Sequence, residues 1–222
     1  PGNQYVTAAK QLVSLSDVAI DMPAGPSEVL IIADETANPA YVASDLLSQA
    51  EHGADSQVLL VTTTENLIEK TLEQIEIQIE KLPRKETARK ALDNSRIILV
   101  KNLDEAIAVT NEYAPEHLII STRSYMVVAE HIVNAGSVFL GNMSPESAGD
   151  YVSGTNHTLP THGFSKAYSG VNLDSFLKKI TFQQLTSEGL TNLSNAIILM
   201  AENEGLQAHA NAVKLRIEKS EL

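Results

Sequence analysis

The stretch from Ser147 to Pro160, SAGDYVSGTNHTLP, gathers Asp150, His157, a Tyr, an Asn, hydroxyl residues and glycines within fourteen positions. Asp150 and His157 are the groups in it able to bind a metal or to move a proton near neutral pH. It follows an apolar run, Ser137 to Gly141, that reads as a short buried strand running into a loop. Segments of this polarity after a core strand are where α/β proteins commonly place ligand-binding groups. A plain Gly-rich surface loop explains the composition equally well.

Three other stretches carry similar chemistry. In Ser48-Gln49-Ala50-Glu51-His52-Gly53, Gln49 and His52 are three residues apart at a helix end and project from one face of its last turn. They form either a metal-ligating ledge or, for the His, only a favourable partner of the helix dipole. In Tyr113-Ala114-Pro115-Glu116-His117-Leu118, the adjacent Glu116 and His117 stand where the chain enters an apolar run. That placement suits general acid–base work, or a surface Glu beside a partly buried His. The third, Glu204 to His209, opens the last helical segment, and Arg216 follows seven residues after His209 on the same face. His131, His162 and Glu146 have no distinguishing context.

The elements that must position these groups follow from apolar patterning. Glu28–Ala33, Gln57–Thr62, Arg96–Val100, His117–Ser121 and Ser137–Leu140 read as strands. Helices are expected between them over 38–52, with Asn38 as N-cap and Pro39 at the first position, then over 65–81, 86–92, 103–112 and 125–135. Val18 to Asp21 reads as a further strand end before a Pro/Gly turn. Strand–helix alternation predicts an α/β fold with a mostly parallel sheet flanked by helices. The tail changes character: 186–203 and 206–219 read as two helices with no strand between, a hairpin that needs a surface to pack on.

Composition narrows the function classes. The 222 residues are 43% hydrophobic, carry a net charge of −12 and include no cysteine. Disulfides, thiolate metal sites and a cysteine nucleophile are excluded, and a cytoplasmic address is permitted. The acidity argues against nucleic acid as partner, and no apolar run is long enough to suggest a membrane span. No G-x-G-x-x-G, P-loop, G-x-S-x-G or H-E-x-x-H occurs. The opening Pro1-Gly2-Asn3, without Met, reads as an entry in the middle of a motif, as in a fragment.

The residues converge when taken together. IDMPAGPSEVLIIAD (20–34), ASDLLSQAEHG (43–53), YAPEHLI (113–119), GSVFLGNMSPESAGDYVSGTNHTLPT (136–161) and HANAVKLR (209–216) resemble histidinol dehydrogenase, along nearly the whole chain. Members of that family are about twice this length, so the resemblance is to their C-terminal half. It implies a zinc-dependent, NAD-linked enzyme that oxidises L-histidinol through L-histidinaldehyde to L-histidine, the last steps of histidine biosynthesis, with the fragment alone expected to be inactive. By position it implies zinc ligands Gln49, His52, Asp150 and His209, and an acid–base pair Glu116 and His117. Ser27, His157 and Glu204 match substrate contacts, and Asn3 an NAD contact. It further implies an incomplete Rossmann-like domain over 28–171, the end of a second one over 1–27, and a helical tail over 172–222. In a homodimer that tail crosses to the partner, so that Glu204 and His209 complete the other subunit's site. On the residues alone two other classes stand beside it: a zinc hydrolase with Glu116 activating water, and a module that only dimerises through its tail.

Overall fold

The computed structural model describes residues 4–218, so the expectation for Asn3 lies outside the described residues. The chain divides into two compact units, Pro1–Leu177 and Lys178–Leu222.

The first unit is built on a five-stranded, fully parallel sheet: β1 (Glu28–Ala33), β2 (Gln57–Thr62), β3 (Arg96–Leu99), β4 (His117–Ser121) and β5 (Ser137–Leu140). Its order is β3-β2-β1-β4-β5, and β1 and β4 are paired with Val29 opposite His117. Every residue of β1 and β4 is buried, as expected for strands covered on both faces. On one face pack α2 (Pro39–Ala50), α3 (Glu65–Ile79) and α4 (Lys85–Asp93), around Val29, Ile31, Val42, Leu46, Ile75 and Ile119. The other face holds α5 (Leu103–Tyr113) and α6 (Tyr125–Ala129), around Leu30, Ile32, Leu118, Ile120 and Val128. The expected α/β class and the parallel sheet are therefore present.

Local sequence explains where α2 starts. The Asn38 side chain accepts the amide N–H of Ala40, and Pro39 begins the helix. Because α2 returns antiparallel to β1, its last turn lies beside the N-terminal ends of the strands. That is the end at which Gln49 and His52 stand.

Three elements differ from the sequence reading. Residues 4–14 form a helix, α1 (Gln4–Ser14), and Val18 to Asp21 form no strand. Asp21 instead accepts the N–H of Met22 and pairs with Lys10, while Thr7 Oγ1 donates to the carbonyl of Ala24. The segment is tied to α1 rather than to a sheet. The helix expected over 125–135 stops at Ala129, because Asn111 on α5 captures the chain beyond it. Asn111 Oδ1 accepts from Val133 N–H at 2.9 Å, and its Nδ2 donates to His131 O at 2.9 Å. Finally, the stretch read as a loop after β5 contains α7 (Glu146–Tyr151).

The second unit contains α8 (Ser187–Asn203) and α9 (Gln207–Glu218), packed against each other as a hairpin. The Thr186 side chain caps α8 by accepting from Gly189 N–H. Phe182, Leu199, Met200 and Leu215 are exposed in it. Among the described residues, no helix of either unit is long and apolar enough to cross a membrane.

Candidate active site at the N-terminal edge of the sheet

The site is assembled where β1 and β4 begin. Glu28 opens β1, and Glu116 and His117 lead into β4; all three are buried. The Glu28 N–H donates to Glu116 Oε2 at 2.8 Å, so the start of one strand fixes the carboxylate at the start of the next. The Glu28 carboxyl in turn accepts the N–H of His162 at 2.9 Å, and its second oxygen is buried without a partner. Gly136 makes room for this crossing. A Cβ there would lie 2.5 Å from the carbonyl oxygen of Glu116, closer than any side chain tolerates.

The His117 ring is held on one side and open on the other. Its Nδ1 lies 3.1 Å from the carbonyl oxygen of Glu28 and 3.0 Å from Gln49 Nε2. A single proton serves only one of these contacts. With Nδ1 protonated, the ring donates to the Glu28 carbonyl and Nε2 is the free base; with Nδ1 bare, it accepts from Gln49. His117 Nε2 is buried with no hydrogen-bond partner, 3.6 Å from Asp150 Oδ1. Gln49 is fully buried on α2, and its Oε1 has no partner either. Two buried polar atoms on hydrogen-bonded neighbours are thus orphaned, each costing about 1–3 kcal/mol of desolvation.

Asp150 arrives from α7, four residues after Glu146. Gly149 allows α7 to press on β5: a Cβ there would meet the Phe139 ring and Thr155 Oγ1 at 2.5 Å. Ligand atoms of His117, Glu146 and Asp150 lie within 4.8 Å of one another, a group able to hold a metal ion. Ser27, His52, Glu116, His117, Asp150 and His157 all line one cavity of about 180 Å³. His52 sits in the turn just after α2, exposed, and also borders a second cavity of about 730 Å³ with Ser27 and His162.

Burial and charge shift the titrations here. Burial pushes Glu28 up to about 7 and Glu146 up to about 8. Burial also disfavours the charged His117 ring, but the carboxylates of Asp150 and Glu116 beside it outweigh that and hold its pKa at about 10. The His117 ring in return keeps Asp150 below the usual carboxylate range.

The residues expected from sequence are distributed as follows. Ser27, His52, Glu116, His117, Asp150 and His157 meet at one cavity, and Gln49 joins through His117. Glu204 and His209 belong to the second unit, where both are exposed, Glu204 capping α8 and His209 lying on α9. Glu28 and Glu146 were missed. Glu28 hides in a run that reads as uninterrupted core strand. Glu146 has no distinguishing context until α7 is known, although Ser144-Pro145-Glu146 is a helix-start pattern and Glu146 and Asp150 have i,i+4 spacing.

Comparison with known proteins bears on the chain as a whole. A family model described as histidinol dehydrogenase matches residues 1–217. A histidinol dehydrogenase of Bacteroides thetaiotaomicron is 64% identical over 217 residues, covering 98% of this chain and 51% of that protein. One from Haemophilus influenzae is 57% identical over 219 residues, 99% of this chain and 51% of the relative. The crystal structure of histidinol dehydrogenase from Elizabethkingia anophelis superimposes with a TM-score of 0.95 at 59% identity, covering all of this chain and 51% of that one. The chain therefore spans about half the length of the relatives it matches.

Proposed function

The chain belongs to the histidinol dehydrogenase family, and from that premise we propose that its N-terminal-edge cavity is the zinc and substrate site for NAD-linked oxidation of L-histidinol to L-histidine. One observation carries the reading: six residues scattered from Ser27 to His157 line a single small cavity. The residues suit zinc. Gln49 Oε1 is a buried oxygen without a partner, and His52 and Asp150 add a nitrogen and a carboxylate from the adjacent α2 turn and α7. In this reading His209 is the remaining ligand and Glu204 a further substrate contact, both given by the tail of a second copy in a homodimer. The exposed apolar residues of the second unit support such an interface. The division into segments 1–27, 28–171 and 172–222 belongs to the same reading.

Zinc held by Gln49, His52, Asp150 and the second copy's His209 would orient the substrate, and NAD would supply the hydride acceptor. The contribution of this chain is to hold the substrate and handle protons. His117 takes the hydroxyl proton at Nε2, with Nδ1–H donating to the Glu28 carbonyl and keeping the ring oriented. Glu116, anchored by the N–H of Glu28, takes a proton from the water that hydrates the aldehyde. Ser27 and His157 contact the substrate, His157 beside the forming carboxylate. A cation engaging Asp150 would remove one of the carboxylates that favour a proton on the His117 ring, while Glu116 would continue to favour it. The NAD contact expected at Asn3 lies outside the described residues.

The test is calorimetric titration of L-histidinol into the zinc-loaded protein. Saturable binding that is weakened at least tenfold by His157→Ala or Ser27→Ala supports the reading. Binding that these changes leave untouched overturns it.

A further inference from the structure

Glu146 is absent from the residues that the family resemblance assigns, yet it is among the most buried charged side chains, 1% exposed. It stands at the start of α7, and Asp150 stands four residues on, near its end. The two carboxyls and His117 fall within the same 4.8 Å group. Across the gap to α2, Ser48 Oγ donates to Glu146 Oε2 at 3.3 Å. Ser48 directly precedes Gln49 and lies one helical turn before His52. The Ser48 oxygen also lies 2.8 Å from the Asp45 carbonyl; its one proton serves one acceptor at a time, so with the hydroxyl donating to Asp45 the Glu146 carboxyl reaches Ser48 as a protonated donor. Glu146 therefore touches both elements from which the proposed zinc ligands of this unit project. Among the described residues, Ser48–Glu146 is the side-chain hydrogen bond that joins α2 to α7.

We propose that Glu146 is a positioning residue that clamps α7 to the last turn of α2, setting the distance between Asp150 and the Gln49–His52 ligand pair. The inference rests on the zinc reading above. A group in this role is not a ligand. It governs affinity by limiting how far the ligands must move to converge, and outer partners of this kind are worth about 10–100-fold in metal affinity. The chemistry needed from position 146 is a hydrogen-bond partner for the Ser48 hydroxyl, as acceptor or donor, and a polar contact to Asp150. An amide supplies both, whereas a direct ligand would need the carboxylate. This contrast separates the two roles.

The experiment is competition of zinc between the protein and a chromophoric chelator, for the unaltered chain and for Glu146→Ala, Glu146→Gln and Ser48→Ala. Circular dichroism and melting of the metal-free forms are read alongside. The expected result is zinc affinity about 10–100-fold weaker in Glu146→Ala, within about threefold of the unaltered chain in Glu146→Gln, and reduced by an intermediate factor in Ser48→Ala. Unchanged affinity in Glu146→Ala overturns the clamp, as does a loss in Glu146→Gln as large as in Glu146→Ala, which would make Glu146 a ligand. If Glu146→Ala does not fold, Ser48→Ala decides: unchanged zinc affinity there overturns the clamp. Failure of the unaltered chain to take up zinc is a different outcome, since it overturns the zinc reading itself and the clamp with it.

Discussion

The two ends of the β1–β4 pair invite comparison, because an open parallel sheet normally binds its ligand at the C-terminal ends of its strands, where the strand order reverses. Here that switch point lies between β1 and β4. Its C-terminal side is closed by Asp34. That buried carboxylate accepts from Thr36 N–H at 2.9 Å, from the Thr36 hydroxyl at 2.5 Å and from Arg123 N–H at 2.8 Å, while its own N–H donates to the Ser121 carbonyl. The orphaned oxygens nearby, Thr122 Oγ1 and Asn142 Oδ1, belong to neutral groups. At the N-terminal side the balance is reversed. Glu28, Gln49 and His117 each keep a buried polar atom without a partner, and His117 lines a cavity there. One end uses a carboxylate to finish the fold; the other leaves buried polar groups unpaired, and the proposed zinc and substrate would engage them.

The sharpest way to break this contrast is to remove one carboxylate from each end. Asp150→Ala is expected to weaken zinc binding by at least about 100-fold, with little effect on metal-free melting. Asp34→Ala is expected to do the opposite, costing about 2–4 kcal/mol through its abandoned N–H donors and leaving zinc affinity per folded chain unchanged. Chelator competition and chemical denaturation read the two effects separately. A loss of zinc in Asp34→Ala would dissolve the distinction.

Acidity offers the next test. Unfolded, His117 titrates near 6.5 and Glu28 and Glu146 near 4.5; folded, the values are about 10, 7 and 8. The folded state therefore keeps protons that the unfolded chain has released. For the two Glu, stability is lost as pH rises from about 4.5 through 7 to 8. The contribution of His117 is complete below 6.5 and is lost as pH rises through about 10. Asp150, held low, acts with opposite sign and only in acid. The metal-free protein should thus melt lower at pH 9 than at pH 6, by about 5 °C or more, and zinc affinity should rise over the same range as protons are displaced. A flat or rising melting profile would mean that the edge groups are not held in the states described.

How much of this was legible in the sequence depends on what each residue reports locally. Asn38-Pro39 announces α2 through capping chemistry, and the continuous apolar runs announce buried parallel strands, so the fold class was accessible. Gln49 and His52 share one helical face by their spacing, but nothing local links them to Asp150. Their meeting depends on α2 running back along β1 and on α7 folding against β5, and it was accessible only through the family resemblance. Glu28 and Glu146 escaped for a physical reason: a buried carboxyl in an apolar run, or at the start of a six-residue helix, changes neither periodicity nor composition. The end of α6 was equally hidden, since Asn111, more than ten residues upstream, cuts it short through its side chain.

Two smaller substitutions grade the contrast. Gly149→Ala forces a Cβ against Phe139 and Thr155, and should cost about 1–3 kcal/mol by overpacking while displacing Asp150 enough to weaken zinc binding. Asn38→Ala removes the cap of α2 at the far end from its ligands. It should cost about 1 kcal/mol and leave zinc affinity unaltered. Denaturation and chelator competition on both variants would show whether strain at α7 reaches the site while loss at the start of α2 does not.

The most direct test of the N-terminal edge as a metal centre is zinc content by elemental analysis, after reconstitution and dialysis at neutral pH, with native mass measured on the same sample. The account predicts one zinc per chain in a dimer and its loss in Asp150→Ala. A protein that takes up no zinc, or one whose zinc survives Asp150→Ala, would contradict it.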